Sequence, residues 1–422
     1  MKFIISVALA TAILIAGCSP ATRHGQAPQL VTIHTIDRNG FSETLHSKDR
    51  LRPLQNADFL SPQPYKKVMR TFKCDASGST PSIITGYYQN GQVKQYLEVA
   101  GSQAYGTYRE WHIDGSARLE ARITGGDADI GQAAENSWIF DGISLVWDNL
   151  GGIAAEIPYR HGELQGTMKT YNTNKKIKEL IPYKNNTIHG TAEVFNTDGT
   201  MLSQTEFSDG EKHGTSEIFR KNGSIISAEN YDLGSLRTGD YYDATGGSIS
   251  KIRNGEGFRA IFAGDHLAEL RHYSNGKPEG IVKILKEDNT LVQTYHIKDD
   301  VRHGEEVEYF PNGVAPKLSV MWFEGHIQGL VKTWYVNGSL ESSKEMSMSK
   351  KTGISSAWYR NGNLMLMEEY NNDKLDKGKY YKKGVSTPIS KVIGGEGLAT
   401  LFDPEGAMLK KIPYHSGIPM TS

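Results

Sequence analysis

A glycine recurs along most of this 422-residue chain, usually at intervals of 23 to 25 residues. Repeats of fixed length decide an architecture, because one short unit cannot bury its apolar face alone and must stack on its neighbours. We call these residues the anchor glycines: Gly142, Gly166, Gly190, Gly214, Gly239, Gly257, Gly280, Gly304, Gly329, Gly353, Gly378 and Gly397. Gly86 and Gly106 precede them with the same pattern, so the repeats occupy most of the sequence.

A turn sequence follows most anchor glycines by about nine residues. Asn-Gly and Asp-Gly pairs favour a type I′ turn, in which both central residues have positive φ, and they are strong hairpin signals. Lys175 and Asn289 replace the turn glycine in two units. Six units carry the pair: Asp114-Gly115, Asp198-Gly199, Asn222-Gly223, Asn312-Gly313, Asn337-Gly338 and Asn361-Gly362. Each unit is therefore predicted to be a β-hairpin.

A second position tolerant of positive φ lies about twenty residues after the anchor, where a turn would join one hairpin to the next. It holds Gly162, Asn186, Gly210, Gly234, Asp300, Gly325, Asp373 and Gly417. With about 4.8 Å between strands, each repeat advances roughly 10 Å, and a dozen would extend on the order of 120 Å. The sequence thus predicts an all-β fold, an elongated antiparallel meander of tandem hairpin repeats of about 24 residues.

Large apolar side chains keep a fixed distance from the anchor. One aromatic residue per strand at a fixed place is what a packed face needs, because the copies stack in a ladder. Stacked rings also suit sugars and extended peptides, and exposure of Trp147, Trp334 and Trp358 would favour that alternative. The residues five positions after the anchors form this aromatic ladder: Trp111, Trp147, Tyr171, Phe195, Phe219, Phe262, Leu285, Tyr309, Trp334, Trp358 and Phe402.

Two units are shorter and resemble each other more than they resemble the rest. Gly239 and Gly378 are followed by the next anchor after only 18 and 19 residues, and both begin a Gly-x-Tyr-Tyr sequence. The interval from Gly86 to Gly106 is also short, at 20 residues. We infer a higher-order duplication of about 140 to 150 residues, in which the short units are expected to bend or pair differently from the others.

The first residues resemble a bacterial lipoprotein signal. A lysine at position 2 precedes an apolar run over residues 3–16, which is too short to favour a membrane-spanning helix. The sequence Ile-Ala-Gly-Cys, which ends at Cys18, resembles a lipobox and implies cleavage before Cys18 and attachment of acyl chains such as palmitate to it. Two or three chains would hold the protein stably to a membrane. Ser19 replaces the aspartate that tends to retain lipoproteins at the inner membrane, so the resemblance implies the outer membrane. An ordinary secretory signal with a chance cysteine is the alternative.

Cys74 is the only cysteine besides Cys18. If Cys18 carries lipid, Cys74 has no intramolecular partner and the chain has no disulfide framework. Cys74 is then interpreted as a small apolar residue rather than a reactive thiol. A Cys18–Cys74 bridge becomes possible if lipid is not attached.

The composition and the anchor pattern divide the chain into six parts. Residues 18–30 are polar with prolines, which is typical of a tether. Residues 31–45 centre on Asn39-Gly40 and predict a separate hairpin, which with the stretch to Cys74 would cap the first strand of the array. The parts are a signal peptide at 1–17, the tether at 18–30, an N-terminal hairpin and cap region at 31–85, a first repeat block at 86–238, a second repeat block at 239–377 and terminal repeats at 378–422.

Candidate chemical residues do not form a catalytic pattern. His189, His213 and His303 recur just before anchor glycines, but neighbouring repeats would hold them roughly 10 Å apart, too far to share a zinc ion. Glu256 and Glu396 each lie between two glycines without a nearby acid partner, and we interpret them as turn residues.

The segment from Gly125 to Ser137 interrupts the array, and insertions of this kind map to loops that often carry function. Its Asp127 and Asp129 are spaced as in calcium loops, but no later glutamate lies at the required distance. We therefore predict no metal and no cofactor. The sequence also shows no phosphate loop and no nucleophile motif, so we predict that the protein is not an enzyme.

The repeat pattern resembles a known family. An anchor glycine, an aromatic residue five positions later, an Asn-Gly or Asp-Gly turn and a second aromatic residue are similar to the bacterial variant of the MORN repeat. The pattern resembles in particular chains known as YwqK-like antitoxins. The resemblance covers about residues 86–419 and implies an architecture rather than an activity.

A net charge of −1, from 47 basic and 48 acidic residues, argues against a nucleic-acid partner. The anchor and the array together predict a non-catalytic, lipid-anchored protein of the cell envelope that presents its repeat surface to a protein partner. Two alternatives remain open. One is an antitoxin-like inhibitor of a toxin, which the family resemblance implies, and the other is a module that binds glycans or a lipid surface along the aromatic ladder.

Overall fold

A computed structural model of the chain describes residues 28–74 and 80–420. Nearly all of this part is β-structure, and its strands pair antiparallel, mostly with their neighbours in sequence. The predicted all-β meander of tandem hairpins is confirmed, and it is open rather than closed. The chain divides into two compact units, residues 1–200 and residues 201–422. Within the described ranges, no helix is long and apolar enough to cross a membrane.

The described part of the first unit contains two short α-helices, α1 Lys48–Leu51 and α2 Gln132–Glu135, and a 3-10 helix at Arg52–Leu54. Its strands are β1 Gln29–Asp37, β2 Ser42–Leu45, β3 Lys66–Cys74, β4 Ser82–Tyr87, β5 Val93–Ala100, β6 Gln103–Trp111, β7 Ala117–Ile123, β8 Gly142–Trp147, β9 Ile153–Arg160, β10 Glu163–Leu164, β11 Gly166–Tyr171, β12 Ile177–Lys184, β13 Thr187–Ile188 and β14 Gly190–Phe195.

The second unit is composed of strands and turns. Its strands are β15 Met201–Ser208, β16 Glu211–Phe219, β17 Ile225–Asp232, β18 Ser235–Tyr242, β19 Ser248–Arg253, β20 Glu256–Ala263, β21 His266–Ser274, β22 Lys277–Leu285, β23 Leu291–Lys298, β24 Val301–Arg302, β25 Gly304–Tyr309, β26 Pro316–Phe323, β27 His326–Trp334, β28 Leu340–Ser347, β29 Lys350–Trp358, β30 Leu364–Asn371, β31 Lys374–Tyr380, β32 Ser390–Ile393, β33 Glu396–Phe402, β34 Met408–His415 and β35 Ile418–Pro419.

The N-terminal strands begin the first unit. β1 pairs with both β2 and β3, and β3 pairs with β4, which carries Gly86. Leu51 of α1 is buried together with Leu30 of β1 and Tyr87 of β4, and Phe59 packs against them. Apolar side chains from the helix and the following loop therefore cover the start of the array.

Several anchor glycines lie beneath a β-bulge. In the strand pair β15–β16 the register shifts between Thr205 and Phe207, so that residues 213–215 of β16 face the single residue Glu206, which lies over Gly214. Its Oε2 accepts a hydrogen bond from Thr215 N at 2.9 Å. The backbone of Gly214 has φ +91°, and a Cβ there would overlap the Glu206 carboxylate. The same arrangement places Glu98 over Gly106, His272 over Gly280, Met321 over Gly329 and Glu345 over Gly353.

The Asn-Gly turns differ from the predicted type. A type I′ turn needs positive φ at both central residues, but Gly223 has φ +82° and Asn222 has no positive φ. Arg220 O accepts from Gly223 N at 2.8 Å, and Arg220 N donates to Ser224 O at 2.8 Å. This is a three-residue loop, a type I turn followed by one left-handed residue. The Asn222 side chain accepts from Ser224 N at 3.0 Å, which is why Asn or Asp recurs there.

Type I′ turns are present at the opposite end of the hairpins. Asp209 and Gly210 have φ +50° and +88°, and both central residues of the equivalent turns after Gly142 are also positive, whereas in the turn before Gly106 only Gly101 is. The first of the two positions accepts residues as unlike as Leu233 and Met348, with φ +45° and +47°. The backbone twist of the strands therefore sets these turns without a sequence signal at that position.

The short units pair differently from the others, as the duplication predicts. Gly276 N donates to Gly255 O at 3.0 Å, and Leu236 N donates to Gly276 O at 3.1 Å, so one turn bonds back to the start of β18. The equivalent bonds join Gly417 to Gly395 and Leu375 to Gly417. Each short unit surrounds an apolar cluster, which contains Tyr231, Leu236, Tyr241 and Ile252 in one copy and Tyr370, Leu375, Tyr380 and Val392 in the other.

Gly214→Ala and Gly223→Ala separate the cost of a positive φ from the cost of disturbing the bulge. Both glycines have similar φ, but a Cβ on Gly223 would meet nothing within 4 Å. We expect Gly223→Ala to cost about 1–2 kcal/mol from backbone strain alone. Gly214→Ala should cost about 0.5–1.5 kcal/mol more, because it displaces Glu206 from Thr215 N. Urea unfolding and amide exchange in β15 and β16 measure both changes.

A second substitution tests whether the overlap with the Glu206 side chain causes the additional loss of stability in Gly214→Ala. In the Gly214→Ala background, Glu206→Ala removes the side chain that the new methyl group meets, so the double variant should lose less stability than the two single losses added together. Equal losses for Gly214→Ala and Gly223→Ala would show that the bulge does not require the glycine.

Candidate functional site

Cys18, on which the membrane prediction depends, lies outside the described residues. Cys74, the last residue of β3, is not a free thiol but is disulfide-bonded. This differs from the interpretation of Cys74 as an isolated apolar residue.

The three histidines that precede anchor glycines have separate surroundings. His189 N donates to Pro182 O at 3.0 Å, and His213 Nδ1 lies 3.7 Å from Asp232 Oδ1. The ring of His303 packs on Phe323, with centroids 5.2 Å apart. Across residues 28–74 and 80–420, no three His, Cys, Asp or Glu side chains are placed to hold a metal ion together.

Glu256 and Glu396 accept hydrogen bonds from the turn of the following hairpin. Glu256 Oε1 accepts from Asn275 N at 2.8 Å and from Ser274 Oγ at 2.9 Å. Glu396 Oε1 accepts from Ser416 N at 2.8 Å. These backbone donors hold the pKa of each carboxyl below its ordinary value. Both glutamates are therefore turn residues, as the sequence predicts.

The insertion after β7 folds back onto the first unit instead of forming an open loop. Trp138 is buried, and its ring meets Tyr108 edge-on with centroids 4.6 Å apart. Trp138 Nε1 donates to Asp127 O at 2.9 Å, and Gln95 Nε2 donates to Glu135 Oε1 at 2.9 Å. The insertion therefore closes one side of the apolar cluster of this unit.

The aromatic ladder is half-buried. Trp147, Trp334 and Trp358 are neither buried nor fully exposed. The buried Tyr335, one residue after Trp334, donates its hydroxyl to Trp358 O at 2.8 Å. The ladder thus joins neighbouring repeats, while part of each indole ring stays in solvent.

A buried carboxylate lies on β17. Glu229 is 4% exposed, and Arg259 of β20 donates Nε to its Oε1 at 2.6 Å and Nη2 to its Oε2 at 3.1 Å. The hydroxyls of Tyr231 and Tyr241 donate to the same carboxylate, each at 2.8 Å. These donors satisfy a charge that would be costly to bury alone. We call these four residues the Glu229 cluster.

The other short unit repeats this arrangement as the Glu368 cluster, with one difference. Tyr380 Oη donates to Glu368 Oε1 at 2.8 Å, and Tyr370 Oη donates to Oε2 at 3.1 Å. The position two residues after the anchor, which is Arg259 in the first copy, is the buried Ala399 in the second. The tyrosine donors are therefore common to both copies, whereas the cation is not.

A glycine allows the tyrosine of each cluster to reach its glutamate. The ring of Tyr241 lies back over Gly239, where a Cβ would be 2.5 Å from Tyr241 Oη. Tyr380 lies over Gly378 in the same way, at 2.6 Å. The paired Gly-x-Tyr-Tyr sequences were the signal for these clusters, but the partner glutamates ten residues upstream were not predicted.

The Glu229 cluster is a structural ion pair rather than an acid-base site. Burial alone would raise the pKa of the Glu229 carboxyl, but Arg259 and the two tyrosine hydroxyls hold it below its ordinary value. Burial, together with the charge of Glu229, raises the pKa of Tyr231 and Tyr241. None of these groups is poised to exchange a proton near neutral pH.

A depression on the second unit is shallow and open to solvent. It is bordered by Gly280, Gly304, His296 and His303, and His296 Nδ1 is hydrogen-bonded to Glu305 O at 2.9 Å. Small-molecule sites are enclosed clefts that bury most of their ligand. The shape of this depression is therefore unsuited to enclosing a substrate.

The repeats between residues 139 and 200 belong to the first unit. All of these residues are described, and none of their hydrophobic side chains is buried. Ile143, on β8, is 60% exposed, and Leu150, in the following turn, is 79% exposed. Alternate residues of a strand point to opposite faces, and the hydrophobic side chains on both faces of these strands keep some exposure to solvent.

The family model for the MORN repeat variant matches residues 164–185 and 351–372. The chain therefore carries MORN-variant repeats at these two places, and each match covers two paired strands and the loop that joins them, β11 and β12 in the first and β29 and β30 in the second. MORN repeats are non-catalytic modules that typically bind proteins or membranes.

Two solved structures show a weak similarity. A crystal structure of TcdB2-TccC3 without its hypervariable C-terminal region is 13% identical over 87% of this chain and 24% of its own, with a TM-score of 0.14. A Photorhabdus luminescens Tc holotoxin pore with a mutation in TccC3 is 10% identical over 92% of this chain and 24% of its own, with a TM-score of 0.14. This chain thus spans about a quarter of the length of both. No curated protein matches it.

Arg259→Ala tests whether the cation is needed in the Glu229 cluster. The substitution copies Ala399 but leaves Glu229 buried without a countercharge, and we expect it to cost about 3–5 kcal/mol at neutral pH. Without Arg259, burial should raise the pKa of Glu229, and the protonated form lowers the cost in acid. The stability difference from wild type should therefore grow from pH 4 to pH 7, which urea unfolding across this range would measure.

Glu229→Gln is the matched control, because it keeps the shape and removes the charge. In wild type, the lowered pKa of Glu229 gives stability that is present above the unfolded-state pKa and is lost as the pH falls through the folded-state pKa. Arg259→Ala combined with Glu229→Gln should not show the pH dependence of the single Arg259 variant. The same dependence in the double variant would assign it to another group.

Proposed function

We propose that the chain is a non-catalytic lipoprotein of the bacterial cell envelope, anchored through Cys18, whose hairpin repeats bind a protein partner. The observation that carries this proposal is the run of repeats from residue 139 to residue 200, in which no hydrophobic side chain is buried. The MORN-variant matches support the binding class.

Exposed aliphatic side chains on a fixed backbone favour protein binding. Ile143 and Ile153 lie on paired strands whose backbone groups are used in the sheet ladder, and they are 60% and 39% exposed. A partner that covers them would bury apolar surface without the entropy cost of ordering a loop, because the strands are already ordered. Such a surface is better suited to binding a protein than to catalysing a reaction.

The proposed anchor would hold the array close to the membrane. The first described strand begins at Gln29, and residues 18–28 would separate it from the lipid. Eleven residues span at most about 35–40 Å when fully extended. A partner would therefore be met within a short distance of the membrane, which we propose to be the outer membrane.

Cys18→Ser and Cys74→Ser form a matched pair for testing the anchor. If Cys18 is lipidated, Cys18→Ser should move the protein from the membrane fraction to the soluble fraction, and Cys74→Ser should leave it in the membrane. Mass spectrometry of the wild-type N-terminal peptide should show acyl chains on Cys18. An unacylated Cys18 in a disulfide with Cys74 would contradict the anchor, because one sulfur cannot serve both.

In-cell crosslinking tests the binding function. A photoreactive amino acid at Ile143 or Ile153 should give a reproducible adduct with the same protein in independent envelope preparations. The same group at the buried Leu97 should give no adduct and serves as the control. No adduct from either exposed position would count against a protein partner on this surface.

A further inference from the structure

The second unit has a sheet face, opposite the Glu368 cluster, that carries lysines. The ladder pairs Met367 with Lys379 and Lys379 with Lys391, so these side chains lie on one face. Lys411 lies on the same face, opposite Thr400 in the β33–β34 pair. We call Lys379, Lys391 and Lys411 the lysine face.

The charges of the lysine face are not neutralised by the fold. All three lysines are exposed, and none forms an ion pair or side-chain hydrogen bond within the described part of the chain. The carboxylates nearest to these lysines on the paired strands already form ion pairs with other residues. Lys377 Nζ lies 2.9 Å from Glu369 Oε2, and His415 Nδ1 lies 3.1 Å from Glu396 Oε2.

The duplication shows that the fold does not require these charges. Lys379 and Lys391 are directly opposite in the ladder, and like charges in that position are destabilising. The equivalent pair in the first copy is Asp240 opposite Lys251, where Asp240 also lies 2.6 Å from Arg253 Nη2. One copy is thus internally neutralised, and the other presents unpaired positive charge.

Exposed aliphatic side chains border the lysine face. Ile393, in register with Lys377, is 70% exposed, and Met367, in register with Lys379, is 40% exposed. Ile354, opposite Glu369, is 50% exposed. The face therefore offers both charge and apolar area, which is the composition of a binding surface.

We propose that the lysine face binds an acidic protein segment that carries apolar side chains. Anionic membranes attract clusters of about four to eight basic residues, with about 1 kcal/mol for each. Here three unpaired lysines share the face with Glu369 and Glu396, which a membrane surface would repel. A partner with carboxylates at discrete positions fits this mixed pattern better than a uniform layer of headgroups. This inference rests on the proposed binding function.

Fluorescence polarisation of the purified full chain tests the proposal with a labelled peptide of alternating Glu and Leu. Wild type should bind the peptide, and binding should weaken as salt is added. Lys379→Asp should weaken binding by at least about fivefold, because it both removes and reverses one charge of the face. This variant restores the opposite-charge pairing of the first copy, so it should fold at least as well as wild type.

Lys298→Asp is the control. It makes the same change of net charge on β23, where the lysine is exposed, and it should leave peptide binding unchanged. An equal loss in both variants, or no loss in Lys379→Asp, would overturn the proposal. Vesicles with about a third anionic lipid form a second arm. Binding of wild type to vesicles but not to the peptide, lost in Lys379→Asp, would also overturn it in favour of a membrane.

In-cell crosslinking separates this proposal from the binding function on which it rests. A photoreactive group at Ile393 should capture a protein in wild type and lose it in Lys379→Asp, while capture from Ile143 persists. An adduct at Ile393 that survives Lys379→Asp overturns the lysine face and leaves the binding function standing. If neither Ile143 nor Ile393 gives an adduct in the wild-type protein, the binding function itself is overturned.

Discussion

The repeat depends on the close approach between an anchor glycine and the residue eight positions before it. Glu206 can lie over Gly214 and accept from Thr215 N only because no Cβ intervenes. The bulge and the positive φ of the glycine arise together, since the additional residues lie in the glycine's own strand, which bends there. The turns and the aromatic residues of the hairpins lie at fixed distances from this glycine. Its recurrence is therefore the clearest periodic signal in the sequence.

The short units at Gly239 and Gly378 bury apolar side chains that the repeats between residues 139 and 200 do not. Strands in that range keep their apolar side chains partly exposed, whereas Leu236 and Leu375 are almost fully buried. Bonds from the turns at Gly276 and Gly417 back to these leucines bring three turns together. Glu229 is buried and Glu368 is partly buried, and tyrosine donors from the same short units satisfy both carboxylates.

The sequence predicts the strands well because period and turn residues are local signals. It predicts the turn type poorly, because Asn-Gly is compatible with both a type I′ turn and a type I turn followed by a left-handed glycine. The choice is made by register: Arg220 N bonds to Ser224 O, and this requires three loop residues. The Glu229 cluster was missed for a different reason, since its members come from three strands up to 30 residues apart. The fold of the insertion was missed likewise, because Trp138 packs across the sheet on Tyr108.

Comparison of the two copies of the short unit distinguishes the residues that the fold requires from those that it tolerates. Both keep the glycine beneath a tyrosine and the glutamate that accepts from it, so these residues belong to the fold. Arg259 becomes Ala399 on the buried face without loss of the tyrosine donors, and Asp240 becomes Lys379 on the exposed face. The buried change leaves Glu368, which is less buried than Glu229, without an arginine, whereas the exposed change creates a repulsion between Lys379 and Lys391. Within the described part of the chain no ion pair offsets this repulsion, and a partner of opposite charge, as we propose, would do so.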